Sequence, residues 1–296
     1  MRELTAHVKA IQQIRIALRH LNPEEVRLSA ATPVTIGLAA ASSETLAAME
    51  DFLAPPELSR RKRLEVFESL YRIGDPDAPR HFDIILCEAG LLDSPGAFPF
   101  SPGDPSRTVD QVLRERDDLA LPLARRFPPF RAAVTSRTVR KVAEENALFA
   151  LFSALPNLMP SIFEIGWAVA EFASDTAVLT VNQIRMAFLL AAASDRPVGF
   201  LEQKAEIASI VAGAFGWRAL ARELAGKIPL GGGLIPKAAI AYAGTMVVGT
   251  GLERYYSLGY GLTPAERDSL YQQALASGKR FAQWAMRARR GDSEPS

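Results

Sequence analysis

The chain is poor in the residues that build most recognisable sites. Among its 296 residues there is one cysteine, Cys87, and there are three histidines: His7, His20 and His81. A single thiol excludes an intrachain disulfide framework and a cysteine-built zinc site, and suits a reducing compartment. Three scattered histidines offer no metal centre. Net charge is nearly absent as well: 34 Lys and Arg stand against 33 Asp and Glu. No global field draws the chain to nucleic acid. The N-terminus has no apolar core before a cleavage site, so no signal peptide is expected. Hydrophobic residues make up 48%, which excludes global disorder.

The length favours two domains. The sequence predicts an α+β protein, mainly α: a small α/β domain over 1–118, a multi-helix bundle over 119–290, and a disordered tail over 291–296. Leu4, Val8, Ile11, Ile14, Leu18 and Leu21 recur at helical spacing with Lys9, Arg15 and Arg19 between them, a basic amphipathic helix. Asn22 and Pro23 open another helix. Thr32–Leu38 reads as a buried strand, Ser42–Leu53 as a serine-capped helix and His81–Glu88 as a second strand. The basic run Arg60–Arg63 reads as a solvated helix start, with a phosphate- or lipid-binding patch as the alternative. Gly90–Arg107 reads as loop, Thr108–Arg116 as a short helix, and the proline-bearing Leu119–Phe130 as a linker or docking segment.

Strand, turn and helix around Gly37 have the layout of a phosphate-binding loop, G-x-x-x-x-G-K-[ST]. The residues do not. Ser42, Ser43 and Glu44 occupy the second glycine, the lysine and the magnesium-binding hydroxyl positions. A carboxylate there repels a polyphosphate. Asp93-Ser94-Pro95-Gly96 matches the D-x-P-G switch pattern of Era-like GTPases, although the same four residues make an ordinary turn. No N-K-x-D guanine-reading motif occurs.

From Ser136 onward the chain reads as helices: Ser136–Leu155, Ser161–Ala173, Asp175 to before Pro197, Leu201–Lys227, and one restarted by Pro236. Glu164, Glu171 and Asp175 share a face at helical spacing, and Asn182 and Arg185 lie on the next helix. Pairing of Arg185 with that acidic stripe inside the bundle is expected, with a ligand or ion site as the alternative. Small residues at Ala239/Ala243 and Thr245/Gly249 predict close helix packing. The longest uncharged runs, Asn146–Phe163 and Ala238–Leu252, fall short of the about 20 clean apolar residues a span needs. Thr263-Pro264-Ala265-Glu266 is a capping box opening a last helix. That helix ends in Lys279, Arg280, Phe281, Trp284 and Arg287, a candidate patch for anionic lipid or a partner.

One group of residues carries a resemblance. Pro156/Pro160, Asp175, Leu179-Thr180, Asn182-Gln183, Arg185-Met186, the Ala191–Ala193 run, Gly213, Phe215-Gly216, Arg218, Pro229, Gly233, Lys237, Ala241-Tyr242 and Gly244-Thr245 together resemble the helical domain of the YcjF family, which is fused to some bacterial Era-like GTPases. It covers about 127–256. The resemblance implies a degenerate GTPase-like N-terminal region and a regulatory or scaffolding role close to GTPases or the inner membrane. It brings no catalytic residues, cofactor or metal. The expectation is a non-enzymatic, cytoplasmic protein that binds a protein partner or rests peripherally on the inner membrane, with self-association compatible and no nucleic acid involved. A small-ligand-binding bundle and a hydrolase with an atypical P-loop are the alternatives.

Overall fold

In a computed structural model, residues 11–92, 94–153, 175–213 and 234–291 are described. The fold is mainly helical α+β, and the chain divides into two compact units. The sheet unit holds Glu25–Thr135 and Ala191–Pro197; the helical unit holds Met1–Glu24, Ser136–Leu190 and Val198–Ser296.

The sheet unit runs α2 (Pro23–Ala30), β1 (Ile36–Ala39), α3 (Ser43–Leu53), α4 (Arg60–Phe67), β2 (Leu70–Arg72), β3 (Ile84–Glu88), β4 (Ala97–Phe100), α5 (Pro105–Glu115) and α6 (Ala120–Arg126). A short helical stretch, α1, precedes it at 11–18. All four strands are parallel, in the order β2-β1-β3-β4. Every residue of β1 is buried, as a strand covered on both faces must be. Ile36, Leu38, Ile84, Leu86, Phe98 and Phe100 pack with Met49 and Leu53 of α3 and with Val109, Val112 and Leu113 of α5. At the amino ends of the central strands Asp83 ties β3 to β1. It accepts from the Thr35 backbone N–H at 2.8 Å and from the Thr35 hydroxyl at 3.0 Å.

Two strands were not anticipated. β4 forms where loop was predicted, and β2 follows α4, the helix expected at the basic run, in a stretch read as no particular element. Both are short, and β4 contains Pro99 inside a proline- and glycine-rich stretch, so neither carries a strand signal of its own in the sequence. Proline at an edge strand costs nothing on its outer side. Thr108 of α5, fully buried, donates to the Pro99 carbonyl at 3.1 Å. Of the two readings of Leu119–Phe130, linker or docking segment, the packing fits the second. Leu119, Leu123, Phe127 and Phe130 sit in the core of the sheet unit, which therefore extends past residue 118 to Thr135.

The helical unit is built from α7 (Pro128–Phe152), α8 (Asp175–Ala193), α9 (204–213), α10 (Leu234–Leu258) and α11 (Pro264–Gly291). The division between units falls within α7. Ser136 was expected to cap this helix but lies inside it, because Pro128 supplies the start: proline is favoured at the first helical position. α10 and α11 form a hairpin. The Thr263 backbone N–H donates to the Glu266 carboxylate at 2.9 Å, and the Glu266 N–H donates back to the Thr263 hydroxyl at 3.3 Å, which is the predicted capping box. Arg254 then pairs with Glu266 at 2.6 Å and stacks 5.0 Å from the Tyr260 ring centre.

The two small-residue stripes of α10 serve different neighbours. A Cβ on Gly278 of α11 would stand 3.0 Å from the Ala239 Cα, so the first stripe lets α11 approach backbone to backbone. A Cβ on Gly249 would stand 2.5 Å from a Val139 methyl of α7 and 3.1 Å from the Met186 sulfur of α8.

Among the described residues one helix, α8, is long and apolar enough to cross a membrane by composition, and 78% of its apolar window is buried inside the protein. Buried core helices meet the same criterion.

Candidate functional site

The first candidate is the crevice where a nucleotide would sit. In a parallel sheet ligands bind beyond the carboxyl ends of the strands, where neighbouring connections turn in opposite directions. Here that point lies between β1 and β3, since β2 flanks β1 on one side and β3 on the other. Gly37, the expected first loop glycine, is inside β1 rather than in a loop. A Cβ there would stand 3.0 Å from the Phe82 ring, so the ring explains the glycine. Ser42 is the N-cap of α3, accepting the Thr45 N–H at 3.0 Å, and Ser43 and Glu44 form an exposed first turn.

The loop amide that a phosphate would seek is already taken. Glu88, at the carboxyl end of β3, accepts the Ala41 N–H at 2.8 Å. The protein's own carboxylate thus binds a loop N–H and adds negative charge to the crevice. Ser94–Gly96 forms a turn into β4, with Gly96 at φ +81° and the Ala97 N–H donating to the Ser94 carbonyl at 3.0 Å. Asp93 lies outside the described residues.

The second candidate is the polar network in the helical unit. Asp175, Asn182 and Arg185 all lie on α8; Glu164 and Glu171 lie outside the described residues. Two pairings that were not expected are formed. Asp175 pairs with Lys237 of α10, whose ammonium also donates to the Ser153 hydroxyl at 3.1 Å. Arg185 lies 3.7 Å from Glu145 of α7. Among the described residues an acidic partner thus comes from α7, which faces α8 at this level.

Between those ion pairs runs a chain of buried amides. Asn182 donates to the Asn146 carbonyl oxygen at 2.9 Å and to Glu145 at 3.2 Å. Asn146 donates to the Thr245 hydroxyl at 2.8 Å, and Gln183 donates to the same hydroxyl at 3.1 Å. Thr245 in turn donates to the Ala241 carbonyl at 2.8 Å. The hydroxyl thus uses its one donor and both acceptor positions. Asn146, Asn182 and Thr245 are each at most 1% exposed. Among the described residues the Asn182 side-chain oxygen has no hydrogen-bond partner. The network holds α7, α8 and α10 in register. No group of His, Cys, Asp and Glu able to hold a metal occurs among the described residues.

The third candidate is the outward face of α11. Lys279, Arg280 and Arg287 are exposed, and Trp284 is 62% exposed. Phe281 bridges outside and inside, with ring centres 5.7 Å from Trp284 and 6.1 Å from Tyr242. Ala274, Ala282 and Ala285 take the buried side.

Sequence reasoning missed Glu88, Asn146, Gln183 and Thr245 as a working set. Asn146 and Gln183 carried a signal: an amide inside an apolar helical run needs a partner. Glu88 carried none, since a strand-end glutamate is ordinary. No family model, curated protein or solved structure matches the chain.

Proposed function

We propose that this chain is a non-enzymatic regulatory or scaffolding protein whose helical unit rests on an anionic membrane surface through α11. In this reading the sheet unit derives from a nucleotide-binding domain and no longer performs nucleotide chemistry, as the resemblance to the YcjF-type domain implies.

The observation that carries the reading is the α11 face. From Ser269 to Arg290 the chain has no acidic residue, while Lys279, Arg280, Arg287, Arg289 and Arg290 supply positive charge. An indole exposed beside such cations suits the headgroup boundary. Each cation held near an anionic surface contributes about 1 kcal/mol, within a Debye length. Trp284 adds the apolar component that makes attachment more than ionic. The Glu88 contact to the Ala41 N–H supports the non-enzymatic half of the reading.

Liposome flotation tests it. The expected result is binding that needs anionic lipid and weakens in high salt. It should fall in Trp284→Ala and in the Lys279→Gln/Arg280→Gln/Arg287→Gln variant. Binding indifferent to lipid charge and salt, or none to any vesicle, would sink the membrane reading.

A further inference from the structure

A cavity of about 220 Å³ opens in the sheet unit, away from the crevice at the carboxyl ends of the strands. Lys62 of α4, Arg125 and Arg126 of α6, and the carboxylates Glu65 and Asp195 line it, with Val34 and Pro122 among its apolar walls. Three cations against two carboxylates leave an excess of positive charge.

The cations are incompletely used. Lys62 is shared between Glu65 at 2.9 Å and Asp195 at 2.5 Å. Burial works against its charge, but the two carboxylates more than offset this and hold its pKa above the ordinary lysine value. Arg125 contacts Asp195 through Nε at 3.5 Å, longer than a good charge-assisted hydrogen bond. Arg126 spends one terminal nitrogen on the Ser69 hydroxyl. Two guanidinium groups from adjacent residues therefore offer free N–H donors at one polar cavity, and such edges match the geometry of phosphate oxygens.

Asp195 is unusual in its own right. The Asp195 N–H donates to the Ala192 carbonyl at 3.0 Å and the Arg196 N–H to the Ala191 carbonyl at 2.9 Å, a Schellman motif closing α8. Its αL position normally takes glycine, yet Asp195 holds it at φ +55°. A side chain kept where glycine fits better, with its carboxylate turned to two cations, acts as an internal counter-ion.

We propose that this cavity binds a phosphate-type dianion, inorganic phosphate or a small phosphomonoester, on Lys62, Arg125 and Arg126. Asp195 and Glu65 stand at the same cations and compete with the incoming anion. The basic run Arg60–Arg63 thus contributes one residue, Lys62, to a site, while Arg61 pairs with Glu65 and Arg63 with Asp51 on the outside.

Isothermal calorimetry on the full chain with inorganic phosphate, at constant ionic strength against chloride, provides the test. The wild type should bind saturably. Arg125→Gln/Arg126→Gln should lose binding, and Lys279→Gln/Arg280→Gln on α11 should keep it. Asp195→Asn retains a residue tolerant of the left-handed backbone and removes the competing charge, so it should tighten binding by about tenfold. That gain cannot arise from misfolding. Absence of saturable binding, or equal affinity in the double arginine variant, overturns the proposal. So does binding to phosphatidic acid vesicles that soluble phosphate and glycerol phosphate fail to compete, since the ligand would then be a lipid headgroup.

Discussion

Thr245 shows how much one hydroxyl can hold. It accepts from Asn146 and Gln183 and donates to a backbone carbonyl, all within a buried setting. Thr245→Val keeps the shape but strips two buried amides of their acceptor. Each orphaned donor costs about 1–3 kcal/mol. Urea unfolding should show a loss of about 2–4 kcal/mol for Thr245→Val and less than about 1 kcal/mol for Thr245→Ser, which preserves the hydroxyl. Equal losses would mean that the methyl group matters and the network does not. Glu266 gives a pH-dependent counterpart. Its hydrogen bond with Arg254, and then those from Thr263, lower its pKa from 4.5 to about 2. A depressed carboxylate contributes stability above its unfolded value and loses it as pH falls through the folded one. The melting temperature of the wild type should therefore exceed that of Glu266→Gln at neutral pH. The gap should close between about pH 4.5 and about pH 2.

At the scale of elements, α10 separates two kinds of glycine. Gly249 has no room: an added Cβ would meet Val139 methyls at 2.5 and 2.7 Å. Gly249→Ala should destabilise by about 1–3 kcal/mol through overpacking. Gly251, two residues on, has its nearest neighbour, a Leu262 methyl, at 3.8 Å. Gly251→Ala should stabilise by about 0.5–1 kcal/mol through helix propensity. Thermal melts of the pair check both signs, and a shared sign would contradict the packing assignment. The elements that sequence revealed were those with local signals: the Ser42 cap, the β1 and β3 runs, the Thr263 capping box and the small stripes. β2 and β4 stayed hidden because each is a few residues long and earns its place by pairing with a central strand. The start of α7 was hidden by Pro128 and Pro129, which read as linker although a first-turn proline fits a helix. The polar residues of α8 were legible as a group, since charge and amide in apolar surroundings demand partners. The partners were not, because Thr245 lies 99 residues from Asn146 and only the fold brings them together.

Across the whole molecule, the two units divide the argument about function. The sheet unit has the strand order of a ligand-binding α/β fold without the loop chemistry. Calorimetry with GTP and with ATP, each with Mg²⁺, should give no saturable heat; a micromolar Kd for either would overturn the non-enzymatic reading. The helical unit has an inner side fixed by Gly278, Gly249 and the amide network, and an outer side on α11 where cations surround an exposed indole. Rigid packing beneath that face means that its side chains are presented on a stable helix. Neutralising exposed Lys279, Arg280 and Arg287 should therefore leave the melting temperature nearly unchanged while it weakens vesicle binding. A large loss of stability in that variant would show that the face serves the fold instead.

Glu88 has a consequence for anyone who would install nucleotide chemistry in this crevice. Grafting glycine, lysine and threonine at Ser42, Ser43 and Glu44 supplies the letters of a nucleotide loop while leaving a resident acid on the Ala41 amide. The transplanted lysine would find a permanent tenant at the mouth of the crevice, and a triphosphate would arrive second. Building a nucleotide site here must begin on the neighbouring strand, by evicting Glu88, before a single loop residue is changed.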